Sequence, residues 1–363
     1  MTLNYQDLLT ADGSSEKIKT AIDNVFGDTS VGFIRSAITD TIHGINHRQQ
    51  PNSVQINRDY YGLTFFTRPR MNMRTANLRQ IREFSSLLTS VDLSLPRAIR
   101  AILDTECVNH GHTSGLVDNL QAFIPILTNQ LISMSGWPDI DLPTFTSKPG
   151  AYQEAFSMAD GITRDYATHN ITANFRNIVG DPITSLFLVW CHYASQVFQG
   201  NLIPYPDALI ENEIDYQTRI YRLVLDPSRR FIQKIAACGA AFPLNVPIGN
   251  SFNFESDTPI NRANDQITIN FRIMGPMYND PILIHEFNQT VIQQNSSMAD
   301  GFRASRFVQL NGSTFGLFNH HGYPRIDPTT WELEWWVPKD EYTAMVGEDS
   351  AEVAERYDEN NIR

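Results

Sequence analysis

The residues best equipped for chemistry are Cys107, His110 and His112, which form a C-x2-H-x-H cluster. Zinc needs three or four ligands, and no C-x2-C or H-x3-H pair follows to complete a set. The default for this segment is therefore a loop between helices. His285-Glu286 opens an H-E-x-x-H pattern, but position 289 is Gln, so the second ligand of a zincin helix is missing. His320-His321 runs into Gly322 and reads as a turn. G-x-S-x-G, C-x-x-C, GxxxxGK[ST] and GxGxxG patterns are absent. Asn250-Ser251-Phe252 and Gly312-Ser313 read as turns, not nucleophile elbows. The acid pairs Glu211/Glu213 and Asp139/Asp141 each place two carboxylates on one strand face. Among 40 acids such pairs arise by chance, and a glycosidase needs its two carboxyls converging in a cleft. Arg68, Arg70, Arg74, Arg79 and Arg82 form the one dense basic stretch, with Phe65 and Phe66 beside it for stacking on bases. The alternative is a strand end and helix face where Arg pairs with acids across subunits. The expectation is no catalytic residue, no cofactor and no metal.

Composition points the same way. Hydrophobic residues make up 42% and charged residues 19%, below the roughly 25% charge usual for soluble domains. The 28 basic residues divide into 23 Arg and 5 Lys, with 21 Phe, 13 Tyr and 5 Trp. Arg and aromatics tolerate desolvation at interfaces, whereas Lys favours open surface. Net charge is 28 − 40 = −12, which argues against wrapping DNA, since phosphate neutralisation needs clustered cations. It suits a surface that nucleic acid slides past without sticking. Three scattered cysteines, Cys107, Cys191 and Cys238, give no disulfide framework. The N-terminal residues show no basic and apolar signal pattern. The most apolar run, 182–198, reads as a buried helix.

The elements that must position these residues follow from spacing. Ile18, Ile22, Val25 and Phe26 mark a short amphipathic helix, followed by a polar linker over 43–58. Tyr60 to Thr67 is a strand, stopped by Pro69. Thr75 is placed to cap a helix carrying Leu78, Ile81, Phe84, Leu87 and Leu88, and Ser94 to cap another with Ile99, Ile102 and Leu103. A third helix is expected over 118–134, kinked or started at Pro125. Pro138, Pro143 and Pro149 between Gly136 and Gly150 indicate a module boundary or extended arm. Asp181, Pro182 and Gly200 bracket a helix with Ile183, Phe187, Trp190, Ala194 and Val197 on its apolar face. Later strands are expected over 214–225, 307–310, 314–318 and 331–337. The cleanest is Ile267, Ile269, Phe271 and Ile273, alternating with Gln266, Thr268, Asn270 and Arg272. The 340–363 tail holds eight acids against Arg356 and Arg363 and reads as a solvated, partly helical extension. The resulting fold class is α+β, helical towards the N-terminus and largely antiparallel sheet towards the C-terminus. Expected divisions are an arm and linker over 1–58, a strand-plus-helix segment over 59–150, an α+β module over 151–338, and the acidic tail over 339–363.

Several blocks carry a resemblance. Tyr60-Tyr61-Gly62-Leu63-Thr64-Phe65-Phe66-Thr67-Arg68-Pro69 resembles the "FFTRP" element of virion structural proteins of large contractile-tailed bacteriophages. Similar blocks are Leu127 to Leu131 with Ser135 to Asp139, Gly180 to Ile183 with Trp190, Asp215 to Asp226, and Pro243 to Phe254. Ile267 to Met274, followed by Gly275-Pro276, is similar to terminal strands of tail-tube and baseplate inner-tube modules. The resemblance covers roughly residues 60–290. It implies a tail-tube-like barrel or sandwich in a tail or baseplate, and a six-fold ring of copies around a channel. DNA would pass that channel without specific binding. Implied partners are other copies and other tail, baseplate or neck proteins, with no membrane span; the place is the virion, assembled in the host cytoplasm. A tail-associated hydrolase and a DNA-contacting neck or head protein are the alternatives. The residues expected to make the packing contacts are Phe65, Phe66, Arg68, Ile267, Ile269, Phe271, Ile273, Trp331, Trp335 and Trp336, each of which also fits an ordinary core.

Overall fold

The computed structural model describes residues 61–346 apart from 164–165, 211–213, 227, 254–255, 258–264, 312–313 and 319–320. The expected helix near Ile18, the 43–58 linker, Glu211/Glu213, Gly312-Ser313, His320 and the tail past 346 lie outside the described residues. The rest divides into two compact units. The first holds 64–222 and 236–278 and runs unbroken through residue 150. The second holds the remaining described residues, chiefly 223–235 and 279–346.

The first unit begins with β1 (Tyr61–Phe66), as its aromatic and β-branched run predicts. Then come α1 (Thr75–Leu78), a 3-10 helix (Arg82–Leu88), α2 (Leu95–Ile102) and α3 (Pro125–Gln130). β2 (Leu131–Ser135), β3 (Thr144–Thr146), β4 (Ser157–Ala159) and β5 (Thr168–Arg176) precede α4 (Pro182–Phe198) and α5 (Pro206–Ile210). β6 (Ile220–Leu225), β7 (Ile232–Ala237), β8 (Ala240–Pro243), β9 (Gln266–Met274) and β10 (Met277–Tyr278) follow. The chain passes between the units within β1, β6 and β7.

One antiparallel sheet, in the order β2-β5-β9-β8, organises this unit. β5 and β9 pair from Thr168↔Met274 to Arg176↔Gln266 without a bulge. The period-2 pattern puts Ile171, Ala173 and Phe175 with Ile267, Ile269, Phe271 and Ile273 on one face, all essentially sealed from water. α4 contributes Ile183, Leu186, Phe187 and Trp190 to the same core. Phe187 is the hub, its ring centroid 5.7 Å from Phe175, 5.7 Å from Phe271 and 6.0 Å from Trp190. α4 ends where its punctuation says it should: Pro182 occupies the first turn, and Gly200 adopts φ +76° beyond the last. Its buried stripe is rotated from the expected one, taking in Tyr193 and leaving Phe198 exposed.

Three expected elements come out differently. The helix from Thr75 stops at Leu78, and Ile81 is extended before the 3-10 turn begins. Backbone bonding continues across the break, where the Ile81 amide donates to Leu78 O (3.1 Å) and the Phe84 amide to Ile81 O (3.2 Å). Asn77 Nδ2 donates to the Asn72 carbonyl (2.9 Å), and the Arg100 guanidinium reaches the carbonyls of Met73 (2.6 Å) and Leu87 (3.4 Å). The 118–134 helix starts only at Pro125 and ends at Gln130, because Leu131 to Ser135 pair with β5 instead. Residues 314–318 form α8 (Phe315–Phe318) rather than a strand, since Asn311 accepts from the Thr314 amide (3.1 Å) and so starts a helical turn.

The second unit contains α6 (Ile282–Gln294), α7 (Arg303–Arg306), β11 (Phe307–Gln309), α8, β12 (Tyr323–Ile326), β13 (Leu333–Pro338) and α9 (Lys339–Val346). Its sheet runs β11-β13-β12, antiparallel. α6 buries Leu283, Ile284, Phe287 and Val291, and Asn288 clamps the Ile326 backbone at both N–H and C=O. The fold class is thus mixed α+β with antiparallel sheets, and among the described residues no sheet closes into a barrel.

Candidate self-assembly surface

Arg68 and the residues of the C-x2-H-x-H cluster are committed to internal bonding. Arg68 is the clearest case. It leaves the end of β1 and points inward, where Nε donates to Ile102 O (3.1 Å) and Nη1 to Asn119 O (3.1 Å) and Gln121 O (3.2 Å). Nη2 donates to Ala101 O (2.6 Å) and Asp104 O (3.0 Å). One guanidinium thus staples α2 and the loop after it to the strand, and burial pushes it below its ordinary basicity. Asp104, fully buried, accepts from His112 Nε2 (2.8 Å), from the Tyr205 hydroxyl (2.8 Å to the nearer oxygen) and from the Glu106 amide (2.8 Å).

The C-x2-H-x-H cluster is dispersed by these bonds. Cys107 Sγ donates to Asn119 Oδ1 (3.1 Å), and burial pushes its thiol up. His110 Nε2 accepts from Arg74 Nε (3.0 Å), while His112 is held by Asp104. Among the described residues no group of three His, Cys, Asp or Glu is placed to hold a metal ion. The basic stretch is divided in the same way. Arg68 is internal, Arg70 pairs with Asp207 (3.1 Å) and Glu106 (3.4 Å), and Arg74 is bonded to His110. Arg79 and Arg82 are exposed.

All ten packing candidates lie inside this chain. Phe65 meets Phe123 at 5.0 Å, Phe66 meets Phe175 and Phe271, and the four β9 side chains form the sheet's inner face. In the second unit Trp331 sits before the strand at φ +57°. Trp335 meets Phe315 at 6.4 Å, and Trp336 is covered by Arg303 at 4.7 Å and donates Nε1–H to Glu334 (2.9 Å). These aromatics are occupied by the subunit's own packing.

What remains unsatisfied lies elsewhere. β3 and β4 form an isolated two-stranded sheet, and every residue from Asp139 to Thr163 is exposed except half-buried Ser147. Phe145 and Met158 sit directly opposite one another, each more than half exposed. Phe156 continues the same face, which is apolar, while Thr144, Thr146, Ser157 and Ala159 line the other. The root of this arm is firm: Trp137 packs edge-on to Tyr278 (6.1 Å), whose hydroxyl donates to Pro138 O (2.6 Å). The three prolines between 136 and 150 signalled the arm. No periodicity long enough to read revealed β4.

The second exposed feature is the outer face of the β2-β5-β9-β8 sheet. None of its four strands contains Asp or Glu. Its side chains bond laterally: Thr172 Oγ1 to Asn270 Oδ1 (2.9 Å), Thr268 Oγ1 to Asn174 Oδ1 (2.7 Å), Asn174 Nδ2 to Ser133 Oγ (2.8 Å). Arg272 is held by Asn170 (2.9 Å) and Thr168 (2.6 Å). Among the described residues no helix is long and apolar enough to cross a membrane.

Three solved structures are similar over 44% of this chain. One is the cap of the anti-feeding prophage (the AFP tube terminating cap), at 15% identity, 82% of that chain and a TM-score of 0.26. Another is the sheath–tube complex of the extracellular contractile injection system PVC in its extended state, at 17%, 82% and 0.26. The third is the sheath/tube terminator of that system, at 14%, 88% and 0.23. No curated protein matches the chain. Residues 9–352 match the model of the family described as "Putative phage tail tube protein". With nearly its whole length matched, the chain belongs to the phage tail tube protein family.

Proposed function

We propose that this chain is a structural tail subunit whose copies pack side by side into a ring around a channel, with other tail, baseplate or neck proteins stacked above and below. The observation that carries this reading is the uncovered arm. A two-stranded hairpin is marginal in water by itself, yet this one presents Phe145, Phe156 and Met158 on one open face. Apolar surface of that kind is stable when another chain covers it. One arm per subunit makes a head-to-tail contact, which closes into a ring or continues as a helix. Six-fold closure is the order the sequence resemblance implies, and assembly would take place in the host cytoplasm. The outer face of the β2-β5-β9-β8 sheet is the proposed channel wall, hydrated and free of carboxylates.

The test is to replace residues 139–163 by a short Gly-Ser linker and compare sedimentation velocity and negative-stain images with the native chain. The native chain is expected to form rings or tubes. The armless chain should stay monomeric, with folding stability within about 0.5 kcal/mol, as for other changes to exposed surface. A native chain that remains monodisperse and monomeric at high concentration overturns the proposal.

A further inference from the structure

We infer that the arm of one subunit docks on the surface built by the 3-10 helix Arg82–Leu88 and the two loops beside it in a second copy of this chain. The inference rests on the assembly reading and deepens it by naming the receiving site. Two features of the arm define what it must meet. Its apolar face needs an apolar counterpart, and its charge needs a basic one. Between Trp137 and Ile162 it carries Asp139, Asp141, Glu154 and Asp160 against Lys148, a net of 1 − 4 = −3. Asp160 lies two residues past Met158, so strand alternation puts it on the apolar face, close to the arm's root.

The 3-10 helix offers both in one place. Its start carries the exposed Arg79 and Arg82 beside one acid, Glu83, which lies 3.8 Å from His192. It leads into the loop bearing Val91 and Leu93, exposed at 60% and 67%, with the exposed Asp92 between them. The second loop is tied to the first, since Ser114 Oγ donates to Asp92 O (2.7 Å). A Cβ at Gly115 would stand only 3.2 Å from Leu93 Cδ2, so Leu116, 58% exposed, extends the same apolar patch. Arg97 fixes this loop further by bonding Thr113 O and Gly111 O, both at 2.8 Å. The patch is therefore pre-formed, which keeps the ordering cost of docking low.

Spacing agrees as well. Seven residues of 3-10 helix rise about 14 Å, which separates the basic start from the apolar loop. On the arm, Asp141 stands four residues from Phe145, about 13 Å in an extended chain. The arm laid along the helix thus brings Phe145 and Met158 to Leu93 while its acidic root meets Arg79 and Arg82. Among the described residues this patch has no apolar cover, Val91, Leu93 and Leu116 all standing more than half exposed.

The experiment uses full-length chains and two readouts. In a Cys191→Ser background, Met158→Cys and Leu93→Cys chains are prepared separately, mixed, assembled and oxidised. A disulfide-linked dimer is expected only in the mixture. Independently, R79E/R82E should raise the concentration needed for assembly at least tenfold, and D139R/D141R/D160R should do likewise. Mixing the two charge-reversed chains should recover a large part of that loss, which shows that both are folded. A native chain that stays monomeric removes the assembly reading and the docking site together. Native assembly that neither charge reversal disturbs, or assembly with no Met158–Leu93 cross-link, overturns the docking site alone.

Discussion

At the scale of single residues, the molecule spends its reactive groups on holding itself together. Arg68 satisfies five backbone carbonyls along two stretches of chain, 101–104 and 119–121, a task a point-charge ammonium on a flexible stem cannot copy. Arg68→Ala is expected to cost about 3–5 kcal/mol, as for other buried charged hydrogen-bond networks, and Arg68→Lys to recover less than half of it. Urea midpoints of the two variants check this. Asp215 gives a sharper test. It is 5% exposed and accepts from the Tyr193 hydroxyl, and burial raises its pKa from 3.8 to about 6. Its folded pKa lies above its unfolded one, so the folded state binds the proton more tightly. Its contribution is therefore most favourable below about pH 4 and is lost as pH rises through 6. Summed over that window, the difference is at most ~3 kcal/mol. Asp215→Asn keeps an acceptor for Tyr193 and carries no charge, so unfolding free energy should fall less between pH 4 and 6 than in the native chain. Equal pH slopes would show that the Asp215 carboxyl titrates normally.

At the scale of elements, legibility followed the strength of local signals. α4 was readable because Asp181-Pro182 and Gly200 mark its ends and its length suffices for a period. β9 was readable because alternation persists from Gln266 to Met274. β5, its longest partner, was missed: Thr168, Asn170, Thr172 and Asn174 look like loop composition until the hydrogen-bonded face they share with β9 is seen. The Thr75 helix was overextended because its apolar spacing continues through the break at Ile81, and periodicity alone does not mark a single extended residue. The arm was half legible: the prolines announced a module boundary or extended arm, and neither of its two short strands was expected. Its root depends on one backbone position. Gly136 adopts φ +96°, and a Cβ there would fall 2.6 Å from the Asn170 carbonyl oxygen. Gly136→Ala should therefore cost about 1–3 kcal/mol and tilt the arm's take-off from β2. A large drop in ring yield, at temperatures where the variant is still folded, would register that tilt. An unchanged unfolding midpoint would show that the root accommodates a methyl group.

At the scale of the whole molecule, the proposed channel raises the question of how an acidic subunit would treat a polyanion passing beside it. The charge of −12 suits a surface that nucleic acid slides past without sticking. The face proposed as the channel wall lacks carboxylates, and its amides and hydroxyls bond to one another. It carries two cations, Arg272, tethered to Asn170 and Thr168, and the exposed Arg176. On the proposed channel reading, two cations and no carboxylates give passing duplex DNA only a few phosphate contacts. Lysine at Thr172, Asn174 and Asn270 should convert this wall into a binding surface, since each added cation can neutralise a phosphate. Assembled native rings are expected to release duplex DNA at physiological salt. Rings of the triple-lysine chain should retain it, with log affinity falling in proportion to log salt at about −0.9 per phosphate contacted. The three positions are on the polar face, so the subunit's core and the arm are untouched and ring formation serves as the internal control. If the lysine rings assemble and still release DNA as freely as native ones, this sheet face is not the wall of the channel.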